Sequence, residues 1–182
     1  MRHGFRFRRA QTLASWISLA LILAAGCGYH LVGTSSYLPA DLQKLYVTKF
    51  KNQTSWTDMD QRLTEAVTRE WVRRRRFTVV DSPKAADLNL EGVIRAVNIS
   101  PVRFDQAGRA TEYQMTLVAS VQLVDRRGKK PQVLWQDKGF SRRTSYTVDV
   151  SAVDYFDRQL EAIDEVSEEF ARSLVSAVLE GF

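Results

Sequence analysis

A regular alternation of apolar and polar residues in the middle of the chain predicts a β-strand. Apolar side chains recur at every second position over eleven residues: Tyr113, Met115, Leu117, Ala119, Val121 and Leu123. The positions between them are mostly polar, so we expect one face of this strand to lie on a core and the other to face a more polar environment. A second run predicts a neighbouring strand, with apolar or small residues at Leu88, Leu90, Gly92, Ile94 and Ala96.

Two more strands are predicted on either side of this pair. Residues 42–51 contain aromatic, leucine and valine side chains that favour a pleated strand. The polar turn at residues 125–131 leads into residues 133–146, which predicts an antiparallel hairpin. Gly139 interrupts the alternation of that last strand and indicates a bulge.

Two segments have the three-to-four-residue period of an amphipathic helix. The first has Thr57 as its predicted N-cap and ends near four consecutive arginines, with apolar residues at Met59, Leu63, Ala66, Val67 and Trp71. The second begins near Ser151, which is spaced from Asp154 as in a capping box. Its apolar stripe comprises Phe156, Leu160, Ile163, Phe170, Leu174 and Val178.

The predicted order of elements is therefore β-α-β-β-β-α. We expect an α+β fold with a four-stranded, mainly antiparallel sheet and two helices packed on one of its faces. Residues 42–182 are predicted to form a single α+β domain, since they contain neither a repeat nor a low-complexity block.

The N-terminus has the pattern of a secretory signal. Residues 1–9 hold four arginines, and an apolar run follows at residues 13–25. That run is shorter than the roughly 20 residues that a spanning helix needs. It ends in Leu23-Ala24-Ala25-Gly26-Cys27, which resembles the lipobox of bacterial lipoproteins. Residues 1–26 are thus predicted to be removed as a signal peptide, by the general or the twin-arginine export route.

Cys27 is then the predicted lipid attachment site and the first residue of the mature protein. Several acyl chains anchor a protein stably where one does not. Residues 27–41 would form a lipidated tether. Gly28 occupies the position at which aspartate tends to retain lipoproteins in the inner membrane, so the sequence predicts a location on the periplasmic side of the outer membrane.

Charge and cysteine content exclude several classes of protein. The 182 residues include one cysteine, which forbids an internal disulfide. The 26 basic and 21 acidic residues give a formal charge of +5, which by itself favours nucleic acid as a partner. Four of those basic residues precede Cys27, and no acidic residue does, so the mature charge is +1. We therefore expect no nucleic-acid partner.

The sequence is poor in catalytic groups. Its two histidines are His3, inside the signal, and His30, next to the predicted lipid anchor. Neither a Cys-His pair nor a Ser-His-Asp triad is available in the mature domain. No glycine-rich phosphate loop and no metal-ligand spacing occur either. We expect no enzymatic activity, no cofactor and no metal site.

One cluster of cations stands out at the predicted hairpin turn: Arg126, Arg127, Lys129 and Lys130. Such a cluster can bind a phosphorylated sugar or an acidic lipid head group through charge-assisted hydrogen bonds. A turn kept polar for solubility is the alternative. Arg103 and Arg109 belong to the preceding turn, which an antiparallel meander places at the opposite end of the sheet.

Two other runs of charged residues can be explained without a ligand. Residues 73–76 are all arginine, which in isolation resembles a nucleic-acid patch, but the C-terminus of a helix favours cations without any ligand. The last helix is acidic at Asp154, Asp157, Glu161, Asp164, Glu165, Glu168 and Glu169. A solvated face or contact with a basic surface of a partner would account for it.

Several short motifs in a fixed order resemble the family of LPS-assembly lipoproteins called LptE. They are Cys27-Gly28-Tyr29-His30-Leu31, Leu38-Pro39, Lys44-Leu45-Tyr46-Val47, Phe50-Lys51-Asn52 and Ala110-Thr111-Glu112-Tyr113-Gln114-Met115-Thr116-Leu117. The resemblance covers nearly the whole mature chain. It implies a non-enzymatic protein that plugs the β-barrel LptD, assists its assembly and contacts lipopolysaccharide (LPS). The alternative is an adaptor lipoprotein of another envelope transport or secretion complex.

Overall fold

The computed structural model describes residues 38–148 and 155–181. The predicted signal segment, Cys27 and the predicted capping residues Ser151 and Asp154 lie outside the described residues. Within them the elements are β1 (Lys44–Val47), β2 (Lys51–Asn52), α1 (Met59–Arg74), β3 (Thr78–Val79), a short 3-10 turn (Pro83–Ala85), β4 (Leu88–Phe104), β5 (Ala110–Asp125), β6 (Gln132–Thr147) and α2 (Tyr155–Glu180). The predicted α+β class is confirmed. Neither described helix is both long enough and apolar enough to span a membrane.

The described strands form one mixed sheet of six strands rather than the predicted four. Its order is β3-β1-β4-β5-β6, with β2 paired to β4. The three long strands form the expected antiparallel meander. The short strands pair in parallel, because α1 returns the chain to the end of the sheet at which β1 began. The predicted first strand is divided into β1 and β2 by residues 48–50.

Two bulges change which residues face the core. In β4 the register shifts between Ile94 and Ala96. Ala96 therefore does not continue the buried row as predicted, and Val97 and Ile99 pack against the core instead. In β6 the residues opposite Ala119 and Val121 are Phe140 and Asp137, so two residues face one at Lys138-Gly139. The predicted bulge at Gly139 is confirmed.

The helices cover one face of the sheet and bury the core beneath them. The predicted apolar face of α1 is fully confirmed, from Met59 to Trp71. In α2 the residues Ile163, Phe170, Leu174 and Val178 are buried as predicted, whereas Leu160 is 48% exposed. The N-cap of α1 is Asp58, in a left-handed conformation with φ 60° and without a side-chain capping bond, rather than Thr57.

Candidate functional site

The predicted cation cluster lies in the turn between β5 and β6, at the end of the sheet where β1 and β4 begin. We call residues 126–131 the hairpin tip. The N–H of Arg126 donates to the carbonyl of Asp87, 3.0 Å away, just before β4. The side chain of Arg127 forms an ion pair with Asp41, which precedes β1. The hairpin tip is thus held against the segments that precede β1 and β4.

Arg126 forms an ion pair with the sheet, although 44% of its side chain remains exposed. Its Nη2 lies 2.5 Å from Oε1 of Glu91. With its amide oxygen turned toward Arg126, the buried Asn89 also accepts a hydrogen bond from Nε at 2.9 Å. Burial acts to raise the pKa of Glu91, but hydrogen bonds from Arg126 and Gln122 outweigh it and lower that pKa. Arg126 therefore neutralises a carboxylate of β4.

Arg127 is likewise paired within the domain. Its guanidinium binds Asp125 at 2.8 Å, and a second ion pair joins it to Asp41 before β1. The hydrogen bond from Arg127 lowers the pKa of Asp125. Because both carboxylates already occupy this guanidinium, less of its hydrogen-bonding capacity remains for a ligand.

Lys129 and Lys130 differ from the two arginines. Both are exposed, and neither forms an ion pair with any of the described residues. The structure therefore divides the predicted four-cation cluster into two arginines that hold the tip in place and two lysines whose ammonium groups face solvent. Sequence alone did not separate the arginines from the lysines, because Glu91 and Asp41 lie 35 and 86 residues away from the arginines that they bind.

The turn between β4 and β5 lies at the opposite end of the sheet, as predicted. The register pairs Leu88 with Asp125 at one end and Phe104 with Ala110 at the other. Arg109 binds Asp105 at 2.8 Å and Arg103 lies 3.3 Å from Glu112, so both arginines are paired locally. The two turns cannot form one basic patch.

The arginines at the end of α1 are mostly engaged in the fold. Arg73 and Arg74 bind the buried carboxylate of Glu70 at 2.5 and 2.8 Å. Arg76 donates to the backbone carbonyls of Pro39 and Leu42 and stacks over Phe77. These contacts favour a structural role for residues 73–76 over a nucleic-acid patch.

The acidic face of α2 is partly neutralised by the domain itself. Asp164 binds Arg62 of α1 at 2.5 Å, which ties the two helices together. Glu161 and Glu168 pair with Arg158 and Arg172 on α2. Glu165 is exposed. The side chains of Asp154 and Asp157 lie outside the described residues.

A residue that the sequence did not single out, Asp87, organises the end of the sheet that carries the hairpin tip. Its Oδ2 accepts hydrogen bonds from the N–H groups of Gln43 and Lys44, each at 2.9 Å. These two bonds lower the pKa of Asp87. The only sequence signal for this role of Asp87 was its position directly before a predicted strand. Aspartate is common at such positions simply because it favours turns.

We expect Asp87→Asn to lower the free energy of unfolding by on the order of 1 kcal/mol at pH 7, because an amide accepts these bonds less strongly than a carboxylate. Since the folded pKa is lowered, the contribution of Asp87 is present above its unfolded pKa of about 4 and is lost as the pH falls through the folded pKa. Urea titrations between pH 7 and pH 3 would measure this. The exposed Asp81 provides the control, Asp81→Asn. A wild-type advantage that does not shrink on acidification would contradict the assignment.

Metal-binding clusters are not found in the described ranges, in which no group of three or more His, Cys, Asp or Glu side chains converges. The predicted lipid attachment site, Cys27, lies outside them and remains a prediction.

Comparison with known proteins identifies what this domain resembles. Residues 42–178 match the sequence profile described as LptE, lipopolysaccharide-assembly. The chain is 31% identical to the LPS-assembly lipoprotein LptE of Photorhabdus laumondii over 116 residues, which cover 64% of this chain and 59% of that protein. It is 32% identical to that of Yersinia enterocolitica over 117 residues, 64% and 52% of the two chains. The matched region thus spans little more than half the length of these relatives.

Among solved structures, the hypothetical protein CT253 from Chlamydia trachomatis has a similar fold. The TM-score is 0.55 at 11% sequence identity, covering 78% of this chain and 97% of that one. At this identity the likeness supports the fold alone.

Proposed function

Because the chain belongs to the LptE lipopolysaccharide-assembly family, we propose that it is an outer-membrane lipoprotein that plugs an LptD-type β-barrel, assists its assembly and takes part in LPS transport. The profile match carries the proposal, since residues 42–178 include every described strand and almost all of both helices. The proposed role is non-enzymatic.

A direct test is isolation of the protein from detergent-solubilised outer membrane, followed by identification of what co-purifies. We expect a large β-barrel of the LptD type, and depletion of the protein should reduce both the assembled barrel and surface LPS. Normal barrel assembly and normal surface LPS after depletion would contradict the proposal. Recovery of a different transport or secretion complex would favour the alternative, an adaptor lipoprotein.

Membrane attachment through Cys27 is part of this proposal. The single cysteine at the end of the apolar run supports it, and mature residues 27–41 would link the acyl chains to the domain. We propose that the protein faces the periplasm from the inner leaflet of the outer membrane.

Cys27→Ser is expected to abolish acylation, because the hydroxyl does not replace the thiol as acceptor. The measurement is mass spectrometry of the mature protein together with membrane fractionation. Gly28→Asp is the matched control: it should remain acylated but accumulate in the inner membrane. Retention of acyl chains by Cys27→Ser would exclude this anchor.

The hairpin tip is the proposed LPS contact. LPS head groups carry phosphates, which ammonium groups bind through charge-assisted hydrogen bonds. Lys129 and Lys130 form no ion pair with any of the described residues. Arg126, in contrast, is paired with Glu91, and Arg127 is paired with Asp125 and Asp41. We therefore assign the contact mainly to the lysines and assign the arginines to positioning of the tip.

The double substitution Lys129→Ser with Lys130→Ser is expected to weaken LPS binding by about tenfold or more, since each charged hydrogen bond contributes roughly 1.5–3 kcal/mol. Its free energy of unfolding should match that of wild type. Lys51→Ser with Lys138→Ser removes the same charge elsewhere and should bind normally. Direct titration with LPS measures both, and equal binding by the two variants would refute the tip as the contact.

A further inference from the structure

A cleft that the proposed function does not use lies at the free edge of β6, beside the C-terminal half of α2 and the end of α1. We call it the edge cleft. Its volume is about 620 Å³, and its lining includes Arg74 from α1, Arg142 from β6 and Arg172 from α2. Ser141, Ser173 and Ser176 add three hydroxyl groups. Three separate elements therefore direct hydrogen-bond donors into one open space.

Arg74 is held in place by the core. Its Nε binds the carboxylate of Glu70, which is only 5% exposed, at 2.8 Å. Its Nη2 donates to the hydroxyl of Ser176 at 2.8 Å. Those two bonds use part of the five-donor guanidinium and fix its plane, so the remaining N–H groups are oriented in advance.

Arg142 is fixed differently and has no carboxylate partner among the described residues. Its guanidinium stacks over the ring of Phe140 with 4.6 Å from Cζ to the centroid, and Nη1 donates to the carbonyl of Ser141 at 2.6 Å. Phe140 is itself held by an edge contact with Phe170 at 5.0 Å. A charged group stacked on an immobile ring is well suited to bind a ligand, because little conformational entropy is lost on binding.

The cleft is open beside the bulge in β6. A Cβ atom at Gly139 would meet no atom within 4 Å. Two carboxylates, Asp137 and Glu180, also line the cleft. Asp137 accepts a hydrogen bond from the N–H of Gly139 at 2.7 Å, which occupies it in the bulge. Arg172 approaches Glu168 only at 3.6 Å. Three arginines and two carboxylates thus line the cleft. Arg74 and Arg172 also have carboxylate partners, Glu70 and Glu168, so Arg142 carries the uncompensated charge among the described residues.

We propose that this cleft binds a phosphate group. Donors from three elements suit a tetrahedral oxyanion with several exposed oxygens better than a planar carboxylate, which a single guanidinium satisfies. The volume exceeds that of phosphate alone and leaves room for the molecule that carries it. Binding here requires neither the β-barrel nor the lipid anchor, so it stands apart from the proposed function.

The test is isothermal titration of the purified full chain with inorganic phosphate and with glucose 1-phosphate. We expect saturable millimolar or tighter binding of phosphate, weakened about tenfold by Arg142→Gln. Arg143→Gln is the matched control, because it removes the same charge one residue away on the opposite face of β6, and it should bind as wild type does. Arg172→Gln supplies a second variant on a different element if Arg142→Gln fails to fold.

The two probes distinguish the source of the phosphate. Tighter binding of glucose 1-phosphate would assign the cleft to a sugar phosphate, and equal binding would assign it to the phosphate group alone. The proposal is overturned if wild type shows no saturable binding, if acetate binds as tightly as phosphate, or if Arg143→Gln loses as much affinity as Arg142→Gln.

Discussion

Gly92→Val is expected to lower the free energy of unfolding by about 3 kcal/mol or more, because the side chain would occupy the volume of Phe50. A Cβ atom at residue 92 would lie 2.1 Å from Cε1 and 2.4 Å from Cδ1 of that ring. Phe50 is 1% exposed, so the ring has no solvent-filled space into which it can move. Overpacking of this kind costs roughly 1–3 kcal/mol, and displacing a buried phenyl ring adds the loss of its own packing.

Urea denaturation of wild type and variant measures this effect, and two comparisons make it specific. Gly139→Ala changes a glycine of the same sheet that has open space around it, and should be nearly neutral. In a Phe50→Ala background, the further cost of Gly92→Ala should be much smaller than in wild type. Equal costs of Gly92→Ala in the two backgrounds would show that contact with Phe50 is not the cause.

The same pair illustrates what the sequence could and could not predict. Alternation placed Gly92 on the buried face of β4 correctly, because period-two patterning reports which face a residue occupies. It did not reveal that Phe50 crosses over this position, since that contact depends on pairing between strands 42 residues apart in the chain. Parallel pairing of β1 and β2 with β4 also left no local signal. The strand count was underestimated because the predicted first strand is divided into β1 and β2, and because β3 has only two residues.

The candidate site was predicted in outline and not in detail. The hairpin tip and its position opposite the β4–β5 turn followed from the order of strands. The carboxylates that engage the tip arginines did not, because Asp41 and Glu91 come from other segments that only the folded sheet brings together. The edge cleft could not be predicted from the sequence for the same reason, because Arg74, Arg142 and Arg172 are spread over nearly a hundred residues.

Phe170→Ala is expected to lower the free energy of unfolding by about 3–5 kcal/mol, because it leaves a cavity between α2 and the sheet. Phe170 is fully buried and meets the ring of Phe140 edge-on at 5.0 Å. Phe140 in turn contacts Trp135 at 6.3 Å between ring centroids. Phe170 therefore joins the last helix to an aromatic pair on the edge strand.

Leu160→Ala on the same helix provides the control, since Leu160 is 48% exposed and its truncation should cost no more than about 0.5 kcal/mol. The periodicity of the sequence assigned both residues to one apolar stripe, so only the structure separates their expected effects. Denaturant titrations measure stability, and hydrogen exchange in α2 reports whether the helix opens locally. Arg142 stacks on Phe140, so loss of Phe170 should also weaken phosphate binding at the edge cleft. A loss below about 1 kcal/mol would mean that the helix is held by its other buried side chains instead.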